Sequence, residues 1–181
     1  MKIIIGLGNP GPQYAHNRHN AGFLCADFLQ KEWGFAAFTP DKKMSASLSS
    51  GTIGKGKVLL VKPDTFMNAS GTAVQTLINF YKLLPQDIIV IHDDLDIAPG
   101  TFKTTLSSRS AGHNGVQDII GKLGTQDFFR IRLGIGHPAG DPGACISAHD
   151  FVLQNFSPEE LTALQKLFPQ VKEKILHRLD T

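Results

Sequence analysis

Five residues able to do acid–base or amide chemistry stand where a strand ends or a helix begins. They are Asn9 in GLGNPG, His19 in NRHNAG, Asn68 in TFMNASG, Asp93 in HDDLD and Asn114 in GHNG. A carboxylate that accepts a hydrogen bond from one imidazole nitrogen fixes the tautomer and raises the basicity of the other, so Asp93 beside a histidine such as His19 is a candidate general base. The three carboxamides can donate to a carbonyl or to a developing oxyanion. Taken singly, each asparagine is equally well explained as a turn former or helix cap, and turn capping accounts for two of the three aspartates in His92–Asp96. Their joint occurrence on one sheet edge favours a site that takes a peptide-like amide and an ester carbonyl. The chain has no G-x-S-x-G, and neither Cys25 nor Cys145 has protease-like flanks. Water is then the nucleophile, activated by His19.

Other chemistries fit less well. Gly6-Leu7-Gly8-Asn9-Pro10-Gly11 spells the dinucleotide fingerprint G-x-G-x-x-G, but Pro10 and Pro12 remove backbone donors and restrain Asn9 and Gly11 to extended backbone. The acidic partner that such a site needs would be Asp27 or Glu32, both in a stretch that reads as helix. His16 and His19 lack the further ligands of a zinc site, and the aspartates of HDDLD come without the P-loop lysine or the EF-hand spacing that would make them a Mg²⁺ or Ca²⁺ site. No metal is expected.

The elements that must hold these residues follow from hydrophobic spacing. Lys2–Gly6, Lys57–Lys62 and Asp87–His92 read as buried strands, with further strands near Thr101–Ser107 and over Phe128–Ile135. Helices are predicted over Asn20–Trp33, Ser70–Leu84 and Asn114–Leu123. A last helix begins at Pro158, behind the capping box Ser157-Pro158-Glu159-Glu160, and Pro169 should kink or break it. The alternation predicts an α/β fold, one domain over residues 1–181, with a twisted mixed, mostly parallel sheet flanked by helices in a three-layer sandwich. The glycine- and proline-rich run Gly136–Ser147 reads as a mobile lid.

Composition agrees with a globular chain: 181 residues, 41% hydrophobic and 19% charged, no apolar run of membrane-spanning length, and two cysteines without framework spacing. These point to a cytoplasmic protein. The net charge of +2 announces no nucleic-acid partner, yet Lys103, Arg109, Lys122, Arg130 and Arg132 face only Asp118 and Asp127 across residues 97–140.

In order and spacing, GLGNPG, NRHNAG, TFMNASG, HDDLD, GHNG, RLGIGHP and FSPEE resemble the bacterial-type peptidyl-tRNA hydrolases from Met1 to about Leu161. The resemblance implies hydrolysis of the ester between a peptide and the 3′-terminal ribose of tRNA by a cytoplasmic monomer, without metal or organic cofactor. By position it makes His19 the base, Asp93 its support and Asn9 the group that binds the substrate's peptide amide. Asn68 and Asn114 match substrate-binding amides, Tyr14 and Phe66 the tRNA end of the cleft, and Met67 and His113 its lining. A protein acting on many tRNAs should read phosphate and shape at the acceptor stem and 3′ end, which gives Lys103 and Arg132 the phosphates.

The chain departs from the family in three places: Thr105 stands where a second basic residue is common, Ser107–Ala111 (SSRSA) replaces a glycine-rich run, and the tail is short. Arg109 or Arg130 could compensate for Thr105, and the SSRSA loop should be stiffer. Two readings from other classes are a catalytically inactive tRNA- or RNA-binding protein on the same fold and, more remotely, a dehydrogenase.

Overall fold

The structure is a computed structural model that describes residues 1–137 and 146–179. Most of the expected lid and Cys145 therefore lie outside the described residues. Among the described residues seven strands form one sheet: β1 Lys2–Gly6, β2 Thr39–Asp41, β3 Ala46–Ile53, β4 Gly56–Pro63, β5 Ile88–Asp94, β6 Phe102–Leu106 and β7 Phe129–Gly134. Their spatial order is β2-β3-β4-β1-β5-β7-β6. The four central strands run parallel, and β2, β3 and β6 are added antiparallel at the edges. The helices are α1 Ala21–Glu32, α2 Ser70–Tyr81, α3 Asn114–Leu123, α4 Ala148–Val152 and α5 Pro158–Leu179.

The strand period of two sorts the core. Ile3, Ile5, Leu59, Val61 and Val90 pack under Val74 and Leu77 of α2 and Val116 and Ile119 of α3. Ile4, Leu60, Ile89 and Ile91 face the other way, against Cys25 and Leu29 of α1 and Phe168, Val171 and Ile175 of α5. This is the three-layer sandwich expected from the sequence. β3 was not expected: ASLSSGTI has weak strand propensity, and it is the eight-residue antiparallel ladder with β4 that holds it extended. Pro169 does not break α5, which runs unbroken on both sides of it. The apolar residues at helical spacing, buried against the sheet, outweigh the one backbone bond that proline removes.

The opening glycines serve packing. A Cβ on Gly6 would lie 2.3 Å from the Gly22 carbonyl oxygen, and one on Gly8 would lie 2.6 Å from the Phe23 ring. Gly11 is extended in ψ (147°) but has φ at 111°, which is open to glycine alone, so the proline restraint holds for only part of its backbone. The start of α1 thus presses directly on the carboxyl ends of β1 and β5, where Leu7 N–H donates to the Ile91 carbonyl and Phe23 N–H to the Leu7 carbonyl. Gly22 is the tightest point: an added Cβ would meet Ile91 O at 2.3 Å, Leu7 N at 2.4 Å and Leu7 O at 2.6 Å. Because all three are backbone atoms, Gly22→Ala should destabilise the protein by about 3 kcal/mol or more, read from its denaturant midpoint.

Candidate active site

The three-residue 3₁₀ turn Arg18–Asn20, which leads into α1, brings His19 over the carboxyl end of β5, where Asp93 is only 2% exposed. His19 Nδ1 lies 3.0 Å from both carboxylate oxygens of Asp93, and His113 Nε2 lies 3.0 Å from Asp93 Oδ1. The hydrogen bonds assign the protons. His113 Nδ1 accepts from the Val116 N–H at 3.3 Å, so the neutral ring carries its proton on Nε2 and donates it to Asp93. His19 donates from Nδ1, which leaves Nε2 as its basic nitrogen. A third imidazole, His92, donates from Nδ1 to the Asp93 backbone carbonyl at 2.7 Å and sits edge-on to His113 at 4.6 Å between ring centres.

Electrostatics separates His19 from His92. Burial would push the pKa of His19 down, but the charge and hydrogen bond of Asp93 more than offset it, so His19 lies above the ordinary histidine value. His92 is fully buried and held well below that value, first by desolvation and then by repulsion from His113. It stays neutral. Burial opposes ionisation of Asp93, yet the charge of His19, the charge of His113 and the N–H groups of both hold it far below the usual carboxylate range.

The amides flank this pair differently. Asn9 is 7% exposed, and its Oδ1 accepts from the Met67 N–H at 2.8 Å, so its NH₂ end is the one left for a ligand. Asn20 locks the Asn9 backbone from both sides, accepting from its N–H at 2.8 Å and donating to its carbonyl at 3.0 Å. Met67 in turn packs on the start of α3, where a Cβ on Gly115 would lie 2.5 Å from its Sδ. Asn114 is exposed on the first residue of α3, and the cap of that helix is His113, not an asparagine. Asn68 is exposed on the turn Met67–Ala69 and caps nothing. Capping therefore accounts for neither residue. Tyr14 and Phe66 meet edge to face at 6.3 Å, with Phe66 58% exposed.

A cavity of about 400 Å³ opens over the pair, with His19, Asp93, His113 and Asn114 in its lining together with Asp94, His137 and His149. Asn9, Met67, Asn68, Tyr14 and Phe66 stand outside that lining, joined to it through the Asn9–Met67 bond and the Met67–Gly115 contact.

The cations divide likewise. Lys103 is exposed on β6 directly opposite Arg132 on β7, and Arg132 Nε donates to Asp94 Oδ2 at 2.7 Å, which links the pair to the cavity. Arg130 is no substitute for a base at position 105: it is 1% exposed and donates inward to Ser108 and to the Arg109 carbonyl. There it ties down the SSRSA loop, in which Ser107 and Ala111 hold positive φ (54° and 51°). Arg109 is exposed.

Three ligand atoms from His19, Asp93 and His113 fall within 4.8 Å of one another, a spacing a metal could use. As bonded, however, the trio is two N–H donors on one acceptor. His113 cannot offer an Nε2 lone pair while its Nδ1 accepts from Val116.

Sequence reasoning missed Asn20, His92, Asp94 and Arg18. All four sat inside the quoted motifs NRHNAG and HDDLD but had no signal of their own, because each acts on a backbone or side chain brought to it by folding.

Comparison with known proteins adds an independent line. Residues 3–180 match the family described as peptidyl-tRNA hydrolase. The peptidyl-tRNA hydrolase of Brucella ovis is 44% identical over 179 residues, covering 97% of this chain and 69% of that protein. The one from Neisseria meningitidis is 50% identical over 138 residues, 76% of this chain and 71% of that protein. A crystal structure of a peptidyl-tRNA hydrolase in complex with n-propanol superposes with a TM-score of 0.91 at 33% identity, covering 99% of this chain and 89% of that one.

The proton assignment is testable without substrate. Nitrogen chemical shifts should show neutral His19 protonated on Nδ1 and neutral His113 on Nε2; the reverse tautomer at His19 would remove its basic nitrogen from the cavity.

Proposed function

The chain belongs to the peptidyl-tRNA hydrolase family, and we propose that it hydrolyses the ester between a peptidyl or N-blocked aminoacyl group and the 3′-terminal ribose of tRNA, releasing both for reuse. The observation that carries this reading is His19 with Nδ1 on Asp93 and Nε2 left as the basic nitrogen.

Nε2 takes a proton from water as its oxygen attacks the ester carbonyl. The imidazolium that forms is stabilised by Asp93, and the same proton then goes to the ribose oxygen as the tetrahedral intermediate collapses. His113 donates to Oδ1, one of the two oxygens that His19 contacts, and so holds the carboxylate against rotating away from His19. The Asn9 NH₂ group binds the carbonyl of the blocked α-amine, a group that a free aminoacyl end lacks. Asn68 and Asn114 supply further donors to the substrate's carbonyls. Tyr14 and Phe66 offer aromatic faces to the unpaired 3′ end of tRNA, Met67 and His113 line the cleft, and Lys103 with Arg132 takes acceptor-stem phosphates. The setting is a monomer in the cytoplasm; no helix among the described residues is long and apolar enough to cross a membrane.

The deciding experiment is turnover of an N-blocked aminoacyl-tRNA. His19→Ala should lose at least about 100-fold in kcat while still binding tRNA. A variant that cleaves like the parent overturns the general base, and a parent that binds tRNA without cleaving it would make the protein an RNA-binding one. In the parent, kcat/KM should fall as pH drops and His19 takes up a proton. The midpoint should lie above 6.5, because Asp93 raises His19 above that value. Lys103→Ala should reduce the slope of log affinity against log salt by about one and leave hydrolysis of a minimal ester unchanged; equal slopes would take Lys103 off the phosphate.

A further inference from the structure

Arg18 in NRHNAG and Glu160 in FSPEE have no part in the chemistry above, and the fold closes them on each other across 142 residues of chain. Arg18 is 8% exposed. Its Nη2 donates to the two carboxylate oxygens of Glu160 at 3.1 and 2.9 Å, and Nε donates to Oε1 at 3.3 Å. Nη1 donates to the Phe151 carbonyl and to Gln154 Oε1, both at 3.2 Å, while the guanidinium lies 4.1 Å over the Phe151 ring. Five hydrogen bonds engage a group with five N–H donors, which leaves nothing over for a phosphate. Glu160 is equally committed: its Oε2 accepts the Ser157 N–H at 2.7 Å and Ser157 Oγ accepts the Glu160 N–H at 3.2 Å, the two halves of the α5 capping box.

The backbone beside Arg18 is stitched to the same segment. Arg18 N–H donates to the Gln154 carbonyl and Phe156 N–H to the His16 carbonyl, each at 2.9 Å, and Asn17 Nδ2 donates to the Leu153 carbonyl. That segment begins in α4, whose Ala148, His149 and Val152 line the cavity. One guanidinium therefore joins the turn that carries His19 to the wall facing it.

We infer that Arg18 is a positioning residue for His19, acting through Glu160. A turn of three residues cannot fix the direction of its central side chain by its own hydrogen bonds. Asn20 clamps one neighbour of His19 to Asn9, and Arg18 clamps the other to the caps of α4 and α5. Between them the imidazole meets Asp93 with both Nδ1 contacts at 3.0 Å. A planar fork on a carboxylate sets orientation as well as distance, which a lysine ammonium does not. The inference rests on His19 being the base.

The test uses the full chain with Arg18→Lys, Glu160→Gln, the double variant, and Val171→Ala as a buried α5 change that destabilises at a distance. Folded fraction, the His19 pKa by NMR without substrate, and kcat and KM on an N-blocked aminoacyl-tRNA are measured on each. Arg18→Lys and Glu160→Gln should lower kcat by about 10- to 100-fold with KM unchanged and move the His19 pKa down toward 6.5. The double variant should lose no more than the worse single variant, and Val171→Ala should leave the His19 pKa where it is. An unmoved pKa in Arg18→Lys, losses that follow only the folded fraction, or additive losses in the double variant would overturn the positioning role. Should His19→Ala stay active, the base fails, while the pKa comparison still tells whether Arg18 orients the ring.

Discussion

The site turns on one carboxylate that serves two imidazoles. Asp93 is nearly inaccessible to water, and a buried anion is stable only if donors surround it. His19 and His113 supply those donors, and in doing so each has one nitrogen committed. The same requirement acts on the rest of the fold. β5 must be buried between β1 and β7 to bring Asp93 to a sheltered edge, α3 must be capped by His113 for its Nδ1 to accept from Val116, and α1 must press against Gly6 for the preceding turn to lie over β5.

Around that carboxylate the polar groups bond in pairs that leave single functional ends free. Asn9 has its Oδ1 on Met67 and its backbone on Asn20, so its NH₂ alone is uncommitted. Arg132 is held by Asp94 at the rim while Lys103 beside it is exposed, which places a paired cation and a solvent-facing one next to each other. Arg130, immediately behind, is a third cation and a buried one. Its pKa is lowered by desolvation and then by Arg132, and carbonyls together with a serine hydroxyl are its hydrogen-bond partners. Its Nη2 ties down Ser108 and Arg109, between Ser107 and Ala111, which hold positive φ where glycine would be the low-cost choice.

Much of this was legible before folding, for identifiable reasons. Strands such as Ile88–Ile91 announce themselves because both faces are buried, and His19, Asp93 and the asparagines stand at boundaries that periodicity locates. β3 stayed hidden because its serines and glycine carry no hydrophobic signal; β4 specifies it through pairing. The cap of α3 carried no signal of its own because a histidine takes the place that composition gives to an asparagine. Arg130 read as a surface cation because nothing local says that three oxygens from a loop about 22 residues away will enclose it. Arg18 was silent for the same reason, its partners lying more than 130 residues along the chain.

These misses share a physical origin that bears on how such a site is kept in register. Hydrophobic patterning fixes where elements lie, to within the tolerance of side-chain packing. A general base needs its ring aimed more finely than that, because proton transfer requires hydrogen-bond distance and direction at both nitrogens. The finer aim comes from directional polar contacts between residues 11, 20 and 142 positions apart: Asn20 on Asn9, His113 on Asp93 and Arg18 on Glu160. Each is buried or half-buried, so each would cost stability if left unpaired. The alignment of His19 therefore depends on the tertiary fold. The contacts least visible in the sequence are the ones that convert an α/β sheet edge into a site where His19 has a single orientation.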